Sequence, residues 1–472
     1  MKILFALTSL LFAVSGYSQS ISVALDTTQT LQNSDAGSVA SADIDLDGDY
    51  DLIVTGSPGM TTLYENDGNG NFTATLQPAI ENVFSGAAEF ADVDNDGDMD
   101  LLITGNNSSP LSTANLYLND GAGSFSISST ASLEPSYAGD IDFGDIDGDN
   151  DVDLIMTGKD ASDVIFTKLY LNNGAGAFAL VGGNTFKGVF LSTTEFIDID
   201  NDTDLDLLIS GVDSSGAATT HLYQNNGSGN FSVVNGLPFE GVEFGDIAFG
   251  DTDQDGDQDI FLVGSDDNGQ SIAELYINNG TSFSLLPNTP FPGTSLHSAA
   301  LADFNNDGKL DLLQIGNSAG GLIGHIYENQ GTNVFILADS SLSGSYNGSN
   351  VVVDLNGDNK LDIVTTGTSF TAPIRAPKLY FNETLLVSAN VSSAEDLMYT
   401  LFPNPSSGAL SLVVHSGSQV QMEVFDGTGR MLSSKNYSEG RANIYLNGTQ
   451  GIYLVRLNIG GHIFSEKVVL KR

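Results

Sequence analysis

Short apolar runs, separated by polar turns rich in Gly and Asn, cover the chain from about residue 20 to residue 384. One unit, taken from Gly86, reads GAAEFAD, an acidic stretch, DLLITG, a variable turn and ANLYLNDGAGSFSI. Runs of this length bounded by turn residues predict four strands, near 86–92, 100–104, 114–119 and 124–128. Ile21 to Leu31 alternates loosely and predicts a further strand ahead of the first unit. The last unit stops at LYFNE, Leu379 to Glu383, one strand short. The early strand supplies the missing one, so the first and last parts of the chain pair in one sheet and leave no open end to the ring.

The acidic stretch fixes the number of units. It occurs seven times, starting at Asp43 (DIDLDGDYD), Asp92 (DVDNDGDMD), Asp145 (DIDGDNDVD), Asp198 (DIDNDTDLD), Asp251 (DTDQDGDQD), Asp303 (DFNNDGKLD) and Asp354 (DLNGDNKLD). The starts are 49 to 53 residues apart, a period typical of propellers and solenoids. The prediction is an all-β chain whose residues 20–384 form a seven-bladed β-propeller, closed by the strand at 21–31.

Carboxylates on alternate residues of a compact loop repel. At an effective dielectric near 20, two unit charges about 4 Å apart cost about 4 kcal/mol. Such a loop needs a cation, and a flexible cage of hard oxygen ligands suits Ca²⁺ better than Mg²⁺. The predicted ligands are positions one, three, five, seven and nine of each loop, for up to seven Ca²⁺ ions. They are Asp43, Asp45, Asp47, Asp49 and Asp51; Asp92, Asp94, Asp96, Asp98 and Asp100; Asp145, Asp147, Asp149, Asp151 and Asp153; Asp198, Asp200, Asp202, Asp204 and Asp206; Asp251, Asp253, Asp255, Asp257 and Asp259; Asp303, Asn305, Asp307, Lys309 and Asp311; and Asp354, Asn356, Asp358, Lys360 and Asp362. A lysine side chain cannot ligate Ca²⁺, so position seven is expected to offer its backbone carbonyl. Position six is Gly, Asn or Thr; Gly and Asn tolerate a left-handed backbone and Thr203 does so poorly. An EF-hand is excluded, because that loop needs a Glu at position twelve and a helix beyond it, whereas Ile103 stands there inside a strand-like run.

A second motif follows each loop: LYENDGNGNF (Leu63 to Phe72), LYLNDGAGSF (Leu116 to Phe125), LYLNNGAGAF (Leu169 to Phe178), LYQNNGSGNF (Leu222 to Phe231), LYINNGTSF (Leu275 to Phe283), IYENQGTNVF (Ile326 to Phe335) and LYFNE. Asn and Gly supply the positive φ angles of a tight hairpin. Its Tyr and Phe are expected to fill space between sheets. Together with Phe90-Ala91-Asp92, Phe143-Gly144-Asp145, Phe196-Ile197-Asp198 and Phe249-Gly250-Asp251, these motifs resemble FG-GAP/VCBS repeats, which build integrin-α-type propellers. That resemblance implies loops between the first and second strands of each blade, on the face opposite the usual ligand-binding face, holding structural calcium.

The chain has 472 residues and a formal charge of −45, which disfavours nucleic acid and anionic lipid as partners. Residues 1–18 read as a signal peptide, with Lys2 as the basic region, Ile3 to Val14 apolar and too short to span a bilayer, and Ser15 to Ser18 small. No other long apolar run exists, so no transmembrane segment is expected in the mature chain. Cysteine is absent, which excludes disulfides, thiol catalysis and zinc–cysteine sites; bound calcium is the staple left to an exported protein.

The charge balance turns at the end of a linker, 385–398: the chain carries 8 basic and 56 acidic residues up to Met398, but 7 basic and 4 acidic from Tyr399. Residues 399–472 alternate as a small β-sandwich would. Pro403-Asn404-Pro405, Gly408, Asp426, Gly429-Arg430, Gly451-Ile452-Tyr453 and the basic end Lys467 to Arg472 resemble the C-terminal sorting domain of type IX secretion substrates. The resemblance implies recognition by the type IX machinery, export across the outer membrane, and release or surface attachment.

Glu89, Asp142 and Glu195 stand three residues before their loops on three consecutive blades, where the others carry Ala40, Ala248, Ala300 and Val351. One-sided acidity there points to a cation or basic-ligand site, or to solvated strand charge. His221 and His325 share a slot that reads as strand surface, and the propeller has one arginine, Arg375. No catalytic constellation, phosphate-cradling loop or basic patch is present. The favoured expectation is an exported, non-enzymatic binding or adhesion module for an extracellular protein or glycan; the alternative is a polysaccharide lyase or hydrolase with its site in the funnel. Loops six and seven carry three ligand carboxylates and a lysine each, so calorimetric titration with Ca²⁺ is expected to resolve them as weaker than the five-acid loops; seven equivalent sites would contradict this.

Overall fold

In the computed structural model every regular element among the described residues is a β-strand. The structure describes residues 21–384, apart from 33, 58–59, 110, 281, 297 and 370–374, and the strands of the tail between 399 and 470. The expected signal peptide at 1–18, the expected linker at 385–398, His297, His415, Pro403-Asn404-Pro405, Gly408, Gly429 and the last two residues lie outside the described set. The chain divides into two compact units, Met1–Leu386 and Val387–Arg472.

The third repeat shows the plan of the first unit. Ile141–Gly144, Asp153–Lys159, Ile165–Leu171 and Ala179–Leu180 form an antiparallel sheet in chain order, and the acidic loop joins its first two strands. The second strand is buried along nearly its whole length, which explains its unbroken apolar run. The plan recurs seven times, with the fifth and sixth sheets fused by a bridge between Ile272 and Thr294. The seventh sheet takes its outer strand from the start of the chain, where Val23–Leu25 pairs with Lys378–Asn382. This strand is shorter than the predicted 21–31. Asp26 ends it by accepting the Thr28 N–H and the Gln29 amide, both at 2.7 Å, and Gln29 then binds Gly70 and Phe72 of the first blade through its side chain.

Seven apolar clusters fill the space between blades. Each joins two neighbours, as Ile44, Ile53 and Leu63 of the first blade meet Leu101, Ile103 and Tyr117 of the second. The motif tyrosines are buried there as expected. Tyr64, Tyr117, Tyr170, Tyr223, Tyr276 and Tyr380 accept a backbone N–H from the loop leading into the inner strand of their own blade, as from Glu81 to Tyr117 at 2.9 Å.

The motif asparagine closes the ring. The Nδ2 groups of Asn66, Asn119, Asn172, Asn225, Asn278, Asn329 and Asn382 donate to Leu355, Ile44, Val93, Ile146, Ile199, Thr252 and Phe304. Each acceptor is the second residue of the previous blade's acidic loop, at 2.7 to 2.9 Å. Every blade is thereby bonded to the one before it, the first to the seventh included.

The tail holds a sheet of Tyr399–Phe402, Ala409–Val414 and Gly440–Tyr445, and another of Met431–Tyr437, Val420–Asp426, Gly451–Ile459 and His462–Leu470. Met422, Val424, Tyr453, Val455 and Leu457 are buried.

Two stability predictions follow from these contacts. Asn278→Ala removes the donor to the buried Ile199 carbonyl and is expected to cost about 2 kcal/mol in chemical denaturation. Thr203 holds φ at 77°, so Thr203→Gly is expected to stabilise by about 1 kcal/mol in the same assay.

Candidate functional site: acidic loops and central channel

The carboxylate at position one organises each loop by accepting the N–H groups of positions five and six, as Asp43 does from Asp47 at 3.1 Å and Gly48 at 3.0 Å. Position five accepts from position seven, as Asp47 does from Asp49 at 3.1 Å. Position nine turns away from solvent and accepts two N–H groups: Asp51 takes Ile44 at 3.1 Å and Asn66 at 2.8 Å. Position six has positive φ in every copy, as expected. Position four does too, in Leu46, Asn95, Gly148, Asn201, Gln254, Asn306 and Gly357, which the sequence reading missed. Several position-four side chains reach the neighbouring loop, as Asn95 reaches Asp151 at 2.7 Å.

Donor oxygens converge in five loops. They come from Asp43, Asp45 and Asp51; Asp92, Asp94 and Asp96; Asp145, Asp147 and Asp153; Asp198, Asp200 and Asp202; and Asp251, Asp253 and Asp255, within 4.8 Å of one another in each group. Position three carries the clearest sign of a missing partner. Oδ1 of Asp45, Asp94, Asp147 and Asp253 is buried without any hydrogen bond. Such an oxygen is costly unless a cation meets it, so the residues present fit a hard divalent ion.

Position seven is different. The side chains of Asp49, Asp151 and Asp204 lie against Gly68, Gly174 and Gly227 of the hairpin motif, where a Cβ would come within 2.2 to 2.5 Å of a carboxylate oxygen. These side chains are not in the convergent groups, which leaves the backbone carbonyl as the expected contribution. Lys309 and Lys360 instead pair with position five, Asp307 at 2.5 Å and Asp358 at 3.1 Å.

A cavity of about 630 Å³ runs down the ring axis between the inner strands. Glu89, Asp142 and Glu195 line it, as the sequence placed them, and Asp140 and Asp246 join them. The sequence reading missed these two; their signal is a polar residue five positions before the loop, shared by Ser38, Thr193, Ser298 and Ser349. They cap the otherwise unpaired edge of the next blade: Asp140 accepts the Thr194 N–H at 3.0 Å, Asp246 that of Ala299 at 2.8 Å, and Ser349 that of Val39 at 2.8 Å. Asp142 accepts the Phe196 N–H in the same manner. Burial pushes Asp140 up to about 6 and Asp142 and Asp246 up to about 7. Burial, then the neighbouring acids, hold Glu89 and Glu195 well above the usual carboxylate range. Arg375 is elsewhere, 3.7 Å from Asp35, and His325 bonds the Tyr327 hydroxyl at 3.0 Å.

Burial also raises the position-nine acids, Asp51 to about 6 and Asp100 and Asp153 to about 7. Acids whose folded pKa is raised hold protons that the unfolded chain has released, so stability is fullest at low pH and is lost as pH rises through the folded values. In chelator, the melting temperature is therefore expected to fall between about pH 5 and pH 8. A melting temperature that rises over that range would contradict the assignment.

Residues 43–103, 92–156, 198–262 and 251–314 match the FG-GAP-like repeat, and residues 400–471 match the secretion system C-terminal sorting domain. No curated protein matches the chain. Solved structures similar to it include AofleA from Arthrobotrys oligospora, at 10% identity and TM-score 0.41 over 69% of this chain and 91% of that one. A six-bladed fungal lectin from Aleuria aurantia aligns at 11% identity and TM-score 0.36, over 65% and 95%. The Penicillium chrysogenum alpha-L-arabinanase aligns at 9% and 0.39, over 76% and 100%. No helix of the described residues is long and apolar enough to cross a membrane. The chain is a β-propeller of FG-GAP-like repeats that ends in a type IX sorting domain, and it is exported to the outer surface or the extracellular space.

Proposed function

We propose that the protein is a calcium-stabilised binding or adhesion module whose ligand is an extracellular protein or glycan. The observation that carries the calcium part is the buried, unpartnered Oδ1 of position three, repeated in four loops. Asp, Asn and backbone oxygens are hard donors, and the loops contain no histidine or cysteine, which favours Ca²⁺ over a softer ion. Because the loops also carry the carbonyls that receive the asparagine ring, the metal acts on the ring itself. Only the folded loops bind tightly, so EDTA is expected to lower the melting temperature by many degrees, and Ca²⁺ to restore it. An unchanged melt in EDTA would reject the structural role.

Binding rather than catalysis is favoured by the channel. Among the described residues its lining offers carboxylates, hydroxyls, the Asn350 amide and backbone but no histidine, lysine or arginine to work with them. The face opposite the loops carries the variable connections between blades and is the proposed contact surface. An array of glycans and extracellular proteins, probed with the full chain in Ca²⁺ and in EDTA, tests this reading. Retained ligands that are lost in EDTA support it; turnover of an arrayed polysaccharide would favour the lyase or hydrolase instead.

A further inference from the structure

Charge is spread unevenly around the ring. Residues 21–290, which supply the first five blades and the closing strand, carry 45 acidic and 3 basic residues; residues 291–384, which supply the rest of the sixth and seventh blades, carry 9 and 4. Two of those four bases, Lys309 and Lys360, pair with acids of their own loops. A chain of formal charge −45 repels a second copy of itself over most of its surface, and least over this sector.

The same sector holds the longest outer edge of the ring. Phe335–Asp339, the outer strand of the sixth blade, has five residues, where the other outer strands have two to four. Val334, Ile336 and Leu337 are 54%, 43% and 50% exposed along it. Edges of this kind are usually blunted by charge, proline or shortness. Here the one charged residue, Asp339, is engaged by its own chain, accepting the Ser341 N–H at 2.6 Å and the Val23 N–H at 3.2 Å. The register slips at Ala338, which leaves Phe335 to Leu337 as a regular run. The Val334 N–H donates to Gly331 at 3.3 Å and its C=O accepts from Gln330 at 2.7 Å, so both face the hairpin. Backbone groups alternate in direction along an antiparallel strand, so those of Ile336 face inward too and those of Phe335 and Leu337 face outward. No strand among the described residues lies beyond them.

We propose that two copies of the chain pair at this edge, strand against antiparallel strand, about a two-fold axis at Ile336. Phe335 then lies opposite the partner's Leu337 on both sides of the axis, and about four backbone hydrogen bonds form. Ile336 lies opposite the partner's Ile336, with Cα atoms about 4.5 Å apart. The exposed aliphatic groups of both copies leave water together, and the contact is self-complementary as a two-fold interface requires. The edge is on the rim of the ring, away from the face proposed to hold a ligand, so self-association and ligand binding stand or fall separately.

The test is sedimentation velocity on the full chain saturated with Ca²⁺ in about 0.15 M salt, where charge is screened beyond about 8 Å. The parent is expected to form a reversible dimer. Ile336→Asp sets two carboxylates face to face across the axis and is expected to weaken the dimer at least tenfold. Ile336→Lys is expected to do the same, and an equimolar mixture of the two variants to restore association. Ile336 is exposed, so both variants are expected to melt with the parent. The chain has no cysteine, so Ile336→Cys carries a single thiol, and mild oxidation is expected to link it into a covalent dimer. Ile127→Cys, 58% exposed on the outer strand of the second blade, is expected to stay unlinked. A parent that stays monomeric at every concentration reached would overturn the proposal. So would a dimer that Ile336→Asp leaves intact, a mixture of the charged variants that does not associate, or equal linkage through Ile127→Cys.

Discussion

The structure depends on one relay of hydrogen bonds, from the ninth residue of each acidic loop to the motif asparagine and on to the preceding blade. Asp153 illustrates it. One oxygen accepts the Ile146 N–H and so folds its own loop; the other accepts the Asn172 N–H and so fixes the hairpin strand. The Asn172 side chain then bonds Val93 in the preceding loop at 2.8 Å. A loop that opened would release both its own strand and its neighbour's. The crowding of carboxylates around that relay is therefore a threat to the whole ring, and whatever neutralises them acts on the whole ring as well.

This explains why so much was legible in the sequence. The blades and the convergent loop acids depend on residues close in sequence, repeated with a fixed period, and the closing strand is legible because the last unit is one strand short. Positions one and three converge in five loops, joined by position five in three of them and by position nine in the other two, and the tyrosines of the second motif are buried between sheets. What escaped the reading depends on neighbours that spacing does not reveal. Asp140 and Asp246 looked like ordinary strand residues, yet each serves an N–H on another blade, 54 and 53 residues away. The positive φ of Leu46 and Gln254 at position four was hidden because neither residue type advertises it. The closing strand stops at Leu25, short of the alternation that runs on to Leu31, because Asp26 caps the turn that follows.

The inner edges raise a problem that the outer edges do not. Outer strands face water, which satisfies their free backbone groups and allows them to be as short as Ser126–Ile127. Inner strands face a narrow channel, where an N–H left without a partner is costly. Side-chain oxygens five positions before the loop meet that cost on several blades, from serine on the seventh and from aspartate on the third and fifth. Serine does so without charge. Aspartate binds the N–H more strongly but brings a carboxylate into a low-dielectric passage, and the raised pKa values are the consequence.

Capping thus accounts for Asp140, Asp142 and Asp246, and Glu89 meets the Phe143 backbone and the Asp142 carboxyl, while Glu195 stands among acids on both sides. An alanine stands at the equivalent position of three other blades, so the ring tolerates a small apolar residue there. Glutamate at two such positions beside three other acids adds repulsion and desolvation, which at Glu89 are offset in part by hydrogen bonds with the Phe143 backbone and the Asp142 carboxyl. Neutralising the loops does nothing for these two, because they lie on the axis rather than at the corners. A chain that already carries a large negative charge gains nothing in solubility from two more carboxylates facing inward. Protonation closes the balance at these positions, because burial and the neighbouring acids hold both glutamates well above the usual carboxylate range and a protonated carboxyl adds no charge to the axis.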